Sequence, residues 1–176
     1  MKDTHMETKE WIAKALYCSS VIEDEVADAY DTLSGKADRQ IVKTLLKYIS
    51  LDSRKHAAVL RGLAESLLAE PPTEGECDKY IGKAGKLVKE TARKVEEVGM
   101  EDLPKLIEEM VTLENFIGEE YLIVFHLKSL KFLAEKEGVD LGDISTVLDW
   151  IIEDEKRHEI LVKNICLLYT SPSPRD

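Results

Sequence analysis

The chain predicts an all-α fold: an antiparallel four-helix bundle made of two helical hairpins, with an accessory helix crossing between them. Three observations carry this. Apolar residues recur at three- and four-residue spacing through long stretches, and no segment alternates apolar and polar residues as a half-buried strand does. Clusters of Gly and Pro cut the chain into helix-length pieces. The two halves also share one pattern, a Glu, a Tyr seven residues on, and further along an Asp four residues ahead of a His.

The first helix is expected from about Glu7 to Ser34, with Trp11, Ala15, Val21, Ile22, Val26 and Leu33 as its apolar positions and Gly35 as the stop just past its end. A second runs from about Ala37 to Ala69 through Ile41, Leu45, Tyr48, Leu51, Val59, Leu63 and Leu67, and ends at Pro71-Pro72-Thr73-Glu74-Gly75. The short connection at Gly35 makes these two an antiparallel hairpin. Asp78 to Val98, rich in Lys, reads as the accessory crossover helix, closed by Gly99. A third core helix covers about Glu101 to Glu137, with Pro104 tolerated in its first turn. Gly138 breaks the chain, Asp143 is the expected N-cap, and a fourth core helix runs from Ile144 to at least Ile165.

The repeated pattern bears the chemistry. Its first copy is Glu23, Tyr30 and Asp52-Ser53-Arg54-Lys55-His56; its second is Glu114, Tyr121 and Asp154-Glu155-Lys156-Arg157-His158. On helices turning about 100° per residue, positions seven apart point the same way, and Glu155 and His158 share a face. Four helices can thus aim carboxylates and imidazoles at one interior point, which is how a bundle holds metal ions. On these residues the chain resembles the ferritin-like superfamily of di-iron carboxylate proteins, and within it the rubrerythrin branch. That plan takes one Glu from each of two helices and a Glu-x-x-His from each of the others. The resemblance implies Glu23 and Glu114 as terminal ligands, Glu155 as the bridge, and His56 and His158 as nitrogen ligands. It implies that Asp154 and Arg157 act around the ligands. The first copy departs from the plan at Ser53, where the family has a bridging Glu, and Asp52, one turn from His56, is the residue that could compensate.

Each residue also has a plainer reading. Glu23 and Glu114 as isolated acids would sit on a surface, but both lie among apolar neighbours, and a buried carboxylate costs several kcal/mol unless it is paired or metal-bound. Tyr30 and Tyr121 serve either as hydrogen-bond partners of ligand carboxylates or as core residues. Asp52 and Asp154 read as acceptors that orient an imidazole through its other ring nitrogen, or as exposed acids paired with a nearby Lys or Arg. His126, twelve residues past Glu114, falls about 120° around the helix from the ligand face and is not counted. His5 is set aside in a frayed terminus. Trp11 and Trp150 read as core packing.

Oxygen ligands with one or two imidazoles suit iron or manganese, in one or two ions. The resemblance implies an oxidoreductase that reduces peroxide or oxidises ferrous iron. Two rivals stay open: a mononuclear site for metal binding or storage, and a degenerate, metal-free helical interaction module. The 176 residues and 44% hydrophobic content fit one domain, residues 1–165. A net charge of −11 argues against nucleic acid or anionic membrane as partner and suits attraction of cations. The resemblance allows for a homodimer. Cys18 and Cys77 belong to no Cys-x-x-Cys and read as reduced thiols of a cytoplasmic protein. No stretch reaches the roughly 20 apolar residues that span a bilayer. Residues 166–176, which start at Cys166, lack helical periodicity and match the in-frame translation of a transposon-type sequencing adapter. They are read as a non-native tail.

Overall fold

The computed structural model describes residues 2–67, 70–99, 102, 105, 106, 115–138 and 140–170. All regular structure among them is helical: α1 (Lys2–Lys36), α2 (Gln40–Glu65), α3 (Glu74–Glu97), α4 (Asn115–Lys136) and α5 (Asp143–Thr170). α1 packs along α2 and also against α3 and α4, while α5 packs against α4 and α2. No helix among the described residues is long and apolar enough to cross a membrane.

Alternating steps of three and four residues keep a stripe of side chains on one side of a helix. In α1 the buried stripe is Ile12, Leu16, Ser19, Glu23, Val26, Tyr30 and Leu33. In α2 it is Val42, Leu46, Ile49, Ser53, His56, Leu60 and Ala64, and in α5 it is Leu148, Ile151, Glu155, His158, Val162 and Ile165. Each Leu, Ile or Val in these stripes contributes about 1.5–3 kcal/mol by leaving water. Glu23, Ser53, His56, Glu155 and His158 occupy the same rhythm. The helices that bury the apolar residues therefore bury these polar ones with them.

The α1–α2 hairpin is antiparallel, and three ion pairs mark its register: Asp31–Lys47 at 2.5 Å, Asp28–Arg54 at 2.6 Å and Asp24–Arg61 at 2.5 Å. Exposed pairs of this kind add only about 0.2–1 kcal/mol each. Gly35 lies inside the last turn of α1 rather than past it, and the helix ends at Lys36. From that end the Lys36 ammonium reaches α3. It donates to the carbonyls of Val95, Glu96 and Val98 at 2.6–2.8 Å, placing a cation at the negative C-terminus of α3.

α2 is shorter at both ends than its periodicity suggests, and its apolar positions Ile41, Tyr48 and Leu51 are exposed. α3 starts earlier, at Glu74, because Glu76 Oε2 accepts the Thr73 backbone N–H at 2.8 Å in a capping box. Gly82, at φ +48°, interrupts α3, so the crossover segment is not one continuous helix. Asp143 is the first residue of α5, not its cap. There its negative charge favours the helix N-terminus, while Asp140 accepts the Gly142 N–H just ahead. α5 continues to Thr170 with Cys166 buried, so residues 166–170 extend the helix; residues 171–176 lie outside the described residues.

Two expectations are corrected by packing. Trp150 is 60% exposed, and Trp11 is also exposed, lying 5.8 Å from the Tyr80 ring between centroids. Neither is a core residue, because each falls outside its helix's buried stripe. Cys18 and Cys77 are not reduced thiols but a disulfide, with Cα atoms 5.2 Å apart, joining α1 to α3. The packing of α3 on α1 brings together two cysteines 59 residues apart, which no local spacing could reveal.

Candidate metal centre

Glu23 from α1, His56 from α2 and Glu155 from α5 meet in the interior, and none is more than 2% exposed. One donor atom from each lies within 4.8 Å of the others. His56 Nδ1 is 2.9 Å from Glu155 Oε1 and 3.9 Å from Glu23 Oε1. His158 Nδ1 is 3.6 Å from the same Glu155 oxygen. A first-row divalent ion holds N and O ligands at about 2.0–2.2 Å, which spaces neighbouring donors roughly 3–4 Å apart. The donor atoms therefore fit around one ion. His56 Nδ1 and Glu155 Oε1 thus face each other in the interior at 2.9 Å.

The far side of each imidazole explains which nitrogen is left to bind. His56 Nε2 lies 3.0 Å from Asp154 Oδ2, and His158 Nε2 lies 3.3 Å from Asp52 Oδ2. An ionised carboxylate only accepts, so in both rings Nε2–H is the donor. A neutral imidazole fixed that way presents the lone pair of Nδ1 to the interior. The pairing is crosswise: each Asp serves the His of the other helix, not the His four residues after it.

Charge follows the same division. Around the rim, Asp52 and Asp154 are offset by Lys55, at 2.7 and 2.9 Å, and by Arg157, which pairs with Asp154. Burial alone would raise the Asp52 carboxyl, but Lys55 and His158 outweigh it and hold the group below its ordinary value. Glu155 behaves alike: burial pushes it up, and the imidazoles of His158 and His56 bring it below the usual carboxylate range. Two buried carboxyl groups, Glu23 and Glu155, thus lie beside two imidazoles, a set of oxygen and nitrogen donors of the kind that a divalent cation binds.

Not every expected residue reaches this cluster. Glu114 lies outside the described residues, as does the side chain of Tyr121. Tyr30 is fully buried in the α1 stripe. Ser53, where the first copy of the pattern lacks the second copy's Glu, is buried, and its hydroxyl has no hydrogen-bond partner among the described residues. Asp52 does not replace that Glu, because its two oxygens are directed to Lys55 and to His158 Nε2. His126 is held at α1 instead, hydrogen-bonded to the Ala15 backbone; burial lowers its basicity. Sequence reasoning missed Lys55, whose only signal is that it stands in the first copy where Arg157 stands in the second. No protein-family model, no curated protein and no solved structure matches the chain.

Proposed function

We propose that the chain is a ferritin-like metalloprotein, similar in kind to the rubrerythrins, that binds iron or manganese and acts as an oxidoreductase, reducing peroxide or oxidising ferrous iron. The observation that carries this reading is the meeting of the buried Glu23, His56 and Glu155, which bring one possible donor atom each within 4.8 Å of one another. Buried ionisable groups of this kind are costly unless they are paired or bound to a metal. Glu23, Glu155, His56 and His158 would hold the ion, and oxygen and imidazole donors without a thiolate suit iron or manganese. Bound iron would supply the electron chemistry. The chain's own residues fix the imidazole tautomers through Asp52 and Asp154, exclude water with the apolar stripes, and balance charge with Lys55 and Arg157.

A second reading, one ion bound without redox turnover, is favoured by Ser53. A two-ion site needs bridging carboxylates, and this position supplies a hydroxyl instead. The two readings part in one experiment. Protein loaded anaerobically with ferrous iron is mixed with hydrogen peroxide, and peroxide loss is followed against the Glu155→Ala variant. Iron-dependent turnover that the variant lacks supports the oxidoreductase. Iron bound without turnover supports the mononuclear binding protein, and no iron bound leaves a metal-free helical module.

A further inference from the structure

Between α2 and α5 lies a groove open to solvent. It has a volume of about 380 Å³ and is lined by Thr44, Leu45 and Tyr48 of α2 and by Arg157, Ile160 and Leu161 of α5. The two helices run antiparallel: Arg39, just before α2, donates to the Leu168 carbonyl near the end of α5, while Lys55, further along α2, pairs with Asp154 earlier in α5. The groove therefore has two unlike ends. At one, toward Asp154, stands Arg157, the charged residue of the lining. Away from it the lining is Tyr48, Ile160, Leu161 and Leu45, and it continues to the exposed Ile41, about 10 Å before Tyr48 along α2. The Thr44 hydroxyl adds little polarity, because it donates to the Gln40 carbonyl of its own helix at 2.9 Å.

We propose that this groove binds a medium-chain carboxylic acid, with its carboxylate on Arg157 and its chain laid along Tyr48, Leu45, Ile160 and Leu161. Pockets of this size that are mostly apolar, with a few placed polar groups, are the usual form of a small-molecule site. Charge selects the anion. A guanidinium carries five N–H donors in a planar fork that matches a carboxylate. Only Nη2 is engaged by Asp154 Oδ1, and the side chain is 55% exposed, so donors remain for a ligand. Volume selects the length: at about 30 Å³ per water-sized group, 380 Å³ holds roughly a dozen heavy atoms, an acid of about eight to ten carbons. A small anion also suits this face better than a second copy of the chain, which would bring a further net charge of −11 toward it. The groove adjoins the candidate centre through Arg157 and Asp154, but it stands whether or not that centre holds a metal.

The test is calorimetric titration of the full chain with octanoate and with octanol, which share a chain and differ in charge. Octanoate is expected to bind at one site at least about tenfold more tightly than octanol, the effect of charge-assisted hydrogen bonds to a guanidinium. Arg157→Gln should remove that preference and leave octanol binding as it was. Ile160→Glu places a negative charge in the groove at a position that is 59% exposed, outside the core, and should abolish octanoate binding while the thermal melt stays unchanged. An unaltered chain that binds no octanoate, or binds it no more tightly than octanol, would overturn the proposal, as would octanoate binding that Ile160→Glu leaves intact. A chain that sediments as a dimer until Ile160→Glu separates it would give the face to a second copy and overturn the proposal as well.

Discussion

Asp154 on α5 accepts a hydrogen bond from Nε2 of His56 on α2 at 3.0 Å, and Asp52 on α2 returns the arrangement to His158 on α5 at 3.3 Å. Two helices that carry the same Asp-x-x-x-His spacing thereby fix each other's imidazoles. The exchange ties the geometry of the candidate centre to the packing of α2 against α5, so that a ring can be turned only by moving a neighbouring helix.

Removing one acceptor should loosen the ring it holds. Asp154→Asn keeps the shape but loses the charge that fixes His56 with Nδ1 facing inward. Metal affinity is expected to fall about 10–100-fold, the usual effect of losing a carboxylate that orients a ligand imidazole. A competition titration with a chelator of known affinity reads it. Unchanged affinity would mean that His56 is not a ligand.

Ser53 offers the reverse change. Ser53→Glu introduces a carboxylate at a fully buried position on the stripe that carries His56. Iron bound per chain should rise. In metal-free buffer the same variant should melt at a lower temperature, because it buries a further charge without a counter-ion. A variant that binds no more iron, and is no less stable without it, would remove Ser53 from the account.

The acid side of the stability curve reports on Asp52. Burial opposes ionisation there, but Lys55 and His158 prevail, so the folded-state value lies below the ordinary 3.8. A carboxyl depressed in the folded state contributes stability that is fully present above its unfolded value and is lost as pH falls through the folded one. Metal-free protein should therefore keep this contribution above about pH 5 and lose it below about pH 4. Melting temperatures across that window should fall less steeply in Asp52→Asn. An acid limb of the same slope in both proteins would contradict the assignment.

The Cys18–Cys77 disulfide closes a loop spanning 59 residues, and on the chain-entropy argument such a link is worth about 2–4 kcal/mol. Cys18→Ser should lose about that much in denaturant unfolding. A reducing agent should lower the unaltered protein to the same level and leave the variant unmoved. Insensitivity of the unaltered protein to reductant would show that the link carries no stability.

How much of this is legible in the sequence differs from residue to residue. Glu23, His56, Glu155 and His158 stand out because they keep step with apolar residues three and four positions away, and helical periodicity is a local property. Ser53 is readable as a departure for the same reason. The crosswise Asp–His pairs are only half readable: the spacing marks Asp52 and Asp154 as partners of an imidazole, and only the packing of α2 on α5 decides which one. Lys55 and the disulfide lie beyond local reasoning, because a long side chain reaching across helices and two cysteines 59 residues apart both depend on tertiary approach. Trp11 and Trp150 mislead because bulk and apolarity say nothing about which side of a helix a residue takes. The start of α3 shifts for a similar reason: Glu76 sets it through a capping contact that simple breaker residues do not encode.

The most direct test of the central claim is metal per chain, measured by elemental analysis after anaerobic loading with ferrous iron and removal of excess, in the unaltered chain and in Glu155→Ala. The account predicts at least one ion per chain in the first and a loss of that ion in the second, since Glu155 is the donor that faces both imidazoles. An unaltered chain that retains no iron, or a variant that retains as much, would contradict it.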